Sequence, residues 1–206
     1  MIGFYDYTVI LTLLSLVLSI IGMTQAVTDH FGRAILLLAL SGLLDGFDGK
    51  VARTKKNRTD DEKLYGIQLD SLVDVVCFGI FPILLCFRLG LQTGWDVALF
   101  CLYGLCGVIR LAFFNVVETN RQMKPNAEEK IYHGMPITSI AVLLPLAYLT
   151  IFVMAPTAFT MVLRSVMLVS TVLFVVDFRL KAIKNWQIAC LVVLVGIAAF
   201  AAVRFS

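Results

Sequence analysis

The chain has 206 residues, 60% hydrophobic and 15% charged, with a mean hydropathy of +0.91. A soluble domain carries about 25% charged residues, so the composition argues against a soluble enzyme, and it excludes a disordered or low-complexity chain. The net charge of +3 is too small to call for nucleic acid, and in a membrane protein the placement of charge matters more than its sum.

A bilayer-spanning helix needs about 20 mostly apolar residues. Seven runs approach that length in chain order: 8–27, 34–52, 67–87, 95–117, 136–154, 157–176 and 186–203. Lipid admits only backbones that satisfy their own hydrogen bonds, so the expected fold is all-α, a polytopic membrane helical bundle. It is read as one integral membrane domain over residues 1–206, with a six-helix core over 8–177 and an appended seventh helix at 186–204. Residues 1–7 hold no basic residue and the first run is long enough to span, so the first helix is expected to be retained rather than cleaved. Gly32 and the pair Ala155-Pro156 mark two of the turns.

The connections set the orientation. Basic residues gather in alternate loops: Arg53, Lys55, Lys56, Arg58 and Lys63, then Arg121, Lys124 and Lys130, then Arg179, Lys181 and Lys184. The opposite loops hold little beyond Arg33, Arg88 and Arg204. The positive-inside rule therefore predicts a cytosolic N-terminus, with the basic face in the cytosol and the C-terminus outside. Trp95 and Trp186 read as interfacial anchors, His133 as an interfacial residue, and Lys55, Lys56 and Lys130 as topology signals that meet anionic headgroups. The five cysteines (Cys77, Cys86, Cys101, Cys106 and Cys190) lie in apolar runs without metal-site spacing, and read as small hydrophobes.

Six ionisable residues stand where lipid should exclude them: Asp45, Asp48, Lys50, Arg53, Asp70 and Asp74. Each charge near the bilayer centre costs about 2.5–3.5 kcal/mol, so four carboxylates require a counter-charge. Asp45, Asp48, Gly49, Ala52 and Arg53 recur at three- and four-residue steps, as do Gly66, Asp70 and Asp74, so each set forms one helical stripe. Packed as an antiparallel hairpin, the two helices bring four carboxylates together near the cytosolic ends. Two divalent cations, Mg²⁺ or Mn²⁺ with Ca²⁺ as a further option, suit such oxygen ligands. Gly49, Ala52 and Gly66 leave room beside them for a phosphate-bearing ligand, for which Arg53 offers a planar fork. A carboxylate-lined cation or proton transporter would also place aspartates in a membrane, but no polar trail is expected across the remaining depth.

These residues read Asp45-x-x-Asp48-Gly49-x-x-Ala52-Arg53, then Gly66-x-x-x-Asp70-x-x-x-Asp74, which resembles the signature of the CDP-alcohol phosphotransferase family. Twelve residues, 54–65, separate Arg53 from Gly66. That spacing exceeds the family's usual one, and the excess, in the charged run KKNRTDDEK, is expected to lengthen the cytosolic turn. The run from Gln68 to Pro82 (QLDSLVDVVCFGIFP) is similar to the phosphatidylserine synthase branch of bacterial and archaeal type. So are the segments Arg110 to Asn115, Tyr132 to Pro136 and Met167 to Ser170. The resemblance covers the first six spans and thins after residue 181, and Ser15 stands where relatives often have asparagine.

The resemblance implies transfer of a phosphatidyl group from CDP-diacylglycerol to the hydroxyl of L-serine, giving phosphatidylserine and CMP. It implies two divalent cations on Asp45, Asp48, Asp70 and Asp74, with Asp74 also the catalytic base. Gly49, Ala52, Arg53, Gly66 and Asp70 are then CDP-diacylglycerol-binding residues, and Arg110 and Asn115 candidate serine-binding residues. An ion pair between Arg110 and a motif aspartate, or a contact with the donor phosphate, is the equal alternative. Glycerol 3-phosphate, inositol phosphate or a polyol would be other acceptors within the family, and homodimers are common in it. A prokaryotic cell membrane is the expected location.

Overall fold

The computed structural model describes residues 3–4, 7–52, 54–55, 58–122, 132–180 and 196. It is a bundle of apolar helical rods that run alternately up and down, and the chain is a multi-pass membrane protein. A 3-10 turn, Tyr7–Val9, leads into α1 (Ile10–Val27). A tight turn, with Asp29 in the left-handed region at φ 63°, reverses the chain into α2 (Phe31–Ala52). The third rod, Asp60–Arg88, comprises α3 (Asp60–Asp74), a π-helical segment (Val75–Ile80) and α4 (Phe81–Arg88). Then come α5 (Gly94–Gln122), the short apolar rod Ile137–Phe152 built around α6 (Ile140–Tyr148), and α7 (Pro156–Val175).

Four of these, Tyr7–Val27, Asp60–Arg88, Gly94–Gln122 and Pro156–Val175, are long and apolar enough to cross a bilayer. With 22 residues α2 has the length, but it carries Arg33, Asp45, Asp48 and Lys50. The rod Ile137–Phe152 has 3-10 turns at both ends, Ile137–Ser139 and Leu149–Phe152, and Pro145 inside α6. The six expected core spans are thus all present as helical rods, while the expected seventh helix lies outside the described residues except for Gly196.

The third rod starts earlier than residue 67. Thr59 caps α3: its hydroxyl accepts from the Glu62 N–H at 3.2 Å, and the Glu62 carboxylate accepts from the Thr59 N–H at 2.9 Å. Asp60, Asp61 and Glu62 add negative charge at the positive end of the helix dipole. Residues 60–65 of the motif's long spacing are therefore helical.

The π-helical segment has a local cause. Pro82 lacks an N–H, so the Phe78 carbonyl four residues earlier has no α-helical donor. The ladder widens, with the Phe81 N–H bonding to the Val76 carbonyl, and the Tyr103 hydroxyl donates to Phe78 O at 2.7 Å. Tyr103 is fully buried on α5, so it fastens α5 to the third rod. Tyr103→Phe leaves that carbonyl without its donor. It is expected to destabilise the protein by about 1–3 kcal/mol, read as a lower unfolding midpoint in detergent.

Close helix crossings depend on missing side chains. A Cβ at Gly42 would lie 2.4 Å from Ala141 Cβ, and one at Gly22 would lie 2.5 Å from Phe81 Cζ, so α2 meets α6 and α1 meets α4 at these glycines. At one end of the bundle Arg88 pairs with Asp29 at 2.6 Å. At that end Asp96, only 1% exposed, also receives Arg164 of α7 through Nε at 2.6 Å and Nη2 at 3.1 Å. Asp96 accepts from the Thr93 N–H too, at 2.9 Å, so one carboxylate both caps α5 and ties it to α7. At the other end the Tyr7 hydroxyl lies 3.1 Å from Thr54 Oγ1. There Tyr132–His133 (β1) pairs antiparallel with Arg179–Leu180 (β2), a two-residue closure of an otherwise helical fold.

Candidate active site

The hairpin of α2 and the third rod places the acidic stripes against each other. One carboxylate oxygen from each of Asp45, Asp70 and Asp74 lies within 4.8 Å of the others. Asp74 is 7% exposed, and its Oδ1 is buried without a hydrogen-bond partner. Crowded carboxylates with an unused buried oxygen make a donor set of the kind that hard divalent cations take, so the residues present fit such an ion.

Asp48 is not one of that trio. It is buried and turned toward α1, where the Thr12 hydroxyl donates to its Oδ2 at 2.7 Å. Thr12 belongs to a stripe of buried polar residues on the first rod, with Thr8 of the leading 3-10 turn and Ser15 and Ser19 of α1. The Ser15 hydroxyl lies 3.9 Å from Cys77 Sγ, and the Ser19 hydroxyl donates to Ser41 at 3.0 Å. Polar groups therefore continue from the aspartates part of the way along the bundle. The stripe ends at Gly22, where the Phe81 ring packs, and it gives way to the buried Ala26. Its signal was the spacing of small hydroxyl side chains along an apolar helix, which reads equally as neutral filler. Of the cysteines, Cys77 and Cys86 are buried as expected, Cys101 faces outward, and Cys190 lies outside the described residues.

Beside the carboxylates the surface is open. A Cβ at Gly46 or Gly49 would meet nothing within 4 Å, and Ala52 is half-buried. Gly66 is different: a Cβ there would lie 2.7 Å from Arg58 Nη2. Arg53 lies outside the described residues.

The two expected acceptor residues are occupied with local contacts. Arg110, buried on α5, donates from Nε to the Met135 carbonyl and interacts electrostatically with Asp74. Asn115 accepts from the Ser71 hydroxyl at 2.5 Å and donates to Gln68 Oε1 at 3.4 Å. Both join α5 to the acidic end of the bundle, Asn115 through α3 and Arg110 through the segment that enters the fifth rod. Lys124, Lys130, Lys181 and Lys184 lie outside the described residues, as does Trp186.

A family model described as CDP-alcohol phosphatidyltransferase matches residues 7–176, which take in all six rods and all four motif aspartates. The chain belongs to that family. Among its curated relatives, the CDP-diacylglycerol–serine O-phosphatidyltransferase of Saccharomyces cerevisiae is 39% identical over 118 residues, covering 56% of this chain and 41% of the relative. The protein of the same name from Helicobacter pylori is 35% identical over 147 residues, 70% of this chain and 58% of the relative. The archaetidylserine synthase of Methanothermobacter thermautotrophicus is 34% identical over 161 residues, 77% and 62% respectively. The chain spans about half the length of the curated relatives it matches. The acidic cluster, flanked by open glycine surface, lies within the family-matched region.

Proposed function

We propose that this protein transfers the phosphatidyl group of CDP-diacylglycerol to the hydroxyl of L-serine, releasing phosphatidylserine and CMP. The observation that carries this reading is the convergence of Asp45, Asp70 and Asp74 within the family-matched region, in a chain whose relatives include proteins named for serine as acceptor. Asp45, Asp48, Asp70 and Asp74 hold two divalent cations, Mg²⁺ or Mn²⁺, with Ca²⁺ a further option. Bound there, such ions offset the negative charge of the donor phosphates and stabilise charge on the attacking and leaving oxygens.

The chain's own groups do the rest. Asp74 accepts the proton of the serine hydroxyl as that oxygen bonds to the lipid-side phosphorus. The bond from this phosphorus to the oxygen bridging the two phosphates breaks, and CMP departs with the electron pair. Gly49, Ala52, Arg53, Gly66 and Asp70 border the cytidine diphosphate, where the absence of side chains at Gly49 admits the donor closely. Arg110 and Asn115 approach the acidic site from α5 and orient the serine, the guanidinium taking its carboxylate.

The whole chain, 1–206, acts as one membrane domain. The aspartate end faces the cytosol of a cell membrane with the N-terminus on the same side, and the protein forms a homodimer. Purified protein supplied with CDP-diacylglycerol and labelled serine, glycerol 3-phosphate, inositol phosphate or a polyol tests the acceptor. Serine-dependent CMP release is expected. Release with only one of the other acceptors overturns the serine assignment, and metal flux in liposomes without CMP release overturns the transferase reading.

A further inference from the structure

Arg58 lies in the stretch that makes this chain's motif longer than usual, and the motif itself gives it no role. The structure places it at the head of the acidic stripe. Gly66, Asp70 and Asp74 follow one another at four-residue steps on α3, a rise of about 6 Å per step. The Arg58 guanidinium covers the first of them: a Cβ on Gly66 would stand 2.7 Å from Nη2. Glycine at 66 is thus what lets an arginine settle one step above Asp70.

Among the described residues the guanidinium is held in place without being neutralised. Its Nη2 donates to the Glu62 carbonyl at 3.0 Å. The Glu62 carboxylate is engaged elsewhere, by Lys55 Nζ at 2.9 Å and by the Thr59 N–H at 2.9 Å. Among the described residues Arg58 makes no ion pair, and its Nε is buried with no hydrogen-bond partner. A buried N–H donor without an acceptor carries a desolvation penalty that an incoming oxygen ligand relieves. A planar fork with a free donor suits a phosphate group bidentately.

We propose that Arg58 is a donor-binding residue that takes a phosphate of the CDP moiety above the carboxylates. This rests on the reading that the donor is a CDP-alcohol. The same fork would also suit the phosphate of an anionic lipid headgroup, so the test separates the two. Wild type, Arg58→Gln and Arg58→Lys are placed in nanodiscs of neutral lipid with Mn²⁺, and each is titrated with CDP, which has no lipid tail. Turnover of CDP-diacylglycerol is measured in the same discs.

Arg58→Gln is expected to weaken CDP binding by about tenfold or more and to raise KM for the donor by a similar factor, with kcat within about twofold of wild type. Arg58→Lys is expected to recover part of the loss, which a merely structural role for the side chain would not produce. CDP affinity within about twofold of wild type in Arg58→Gln overturns the proposal, and if turnover then falls only when anionic lipid is added, the residue belongs to headgroup binding. A wild type that binds CDP tightly therefore isolates the role of Arg58. One that neither binds CDP nor releases CMP overturns the CDP-alcohol reading itself, and this proposal with it.

Discussion

Asp74→Asn is expected to slow serine-dependent CMP release by about 10²–10⁴-fold, the range that a positioned base contributes, while CDP-diacylglycerol still binds. Asparagine keeps the size and the burial of Asp74 but takes up no proton. Asp74 suits the role by position: it is buried beside Asp45 and Asp70, and Arg110 approaches it from α5. Two measurements separate base from ligand. Binding of the donor, followed with Mn²⁺ present, should survive in the variant, and turnover should not. Direct attack also requires inversion at phosphorus and no exchange of labelled CMP in the absence of serine. Turnover at the wild-type rate in Asp74→Asn would remove the base assignment, and CMP exchange without serine would replace direct attack with a covalent enzyme intermediate.

The second large effect concerns the metal, and it changes sign with conditions. With chelator present, Asp45, Asp70 and Asp74 hold their oxygens within 4.8 Å of one another with no metal bound between them, so mutual repulsion works against the fold. Asp70→Asn relieves part of it and is expected to raise the unfolding midpoint in chelator. A ligand that binds only the folded state adds about 2.7 kcal/mol at a hundredfold excess over its Kd. Saturating Mn²⁺ is therefore expected to stabilise wild type above the variant and to restore a turnover that chelation had removed. Thermal unfolding of both proteins, with and without Mn²⁺, reads the crossing directly. Equal responses to Mn²⁺ in the two proteins would show that Asp70 is not a ligand.

The acidic stripes were legible because charge in an apolar chain is rare and the helical period is strict. Asp45, Asp70 and Asp74 were each placed by spacing alone, and the packed structure brings the three together. Asp48 shows the limit of spacing: it lies on the expected stripe, yet its carboxylate accepts a hydrogen bond from Thr12, because a neighbouring helix supplies a hydroxyl that no pattern within α2 reveals. Asp96 and Arg164 were passed over for a related reason. They stand 68 residues apart in sequence, and only packing of α5 on α7 joins them. The start of α3 was missed because hydropathy marks where a helix enters lipid, whereas the Thr59 and Glu62 capping box marks where it begins.

The π-helical segment directly after Asp74 has a consequence for catalysis by geometry alone. Its i to i+5 bonding accommodates one more residue than an α-helical turn would, and each residue advances a helix by about 100°. Below the segment, α4 is fixed by the Phe81 ring on Gly22 and by the pairing of Arg88 with Asp29. Above it, the segment sets the phase in which Gly66, Asp70 and Asp74 follow on the same rod, and the hydrogen bond from Ser71 to Asn115 holds α3 there. Pro82, the absent N–H it imposes and the Tyr103 hydroxyl that answers it thus act as a vernier for the aspartates, setting their compass bearing from several residues away without touching them.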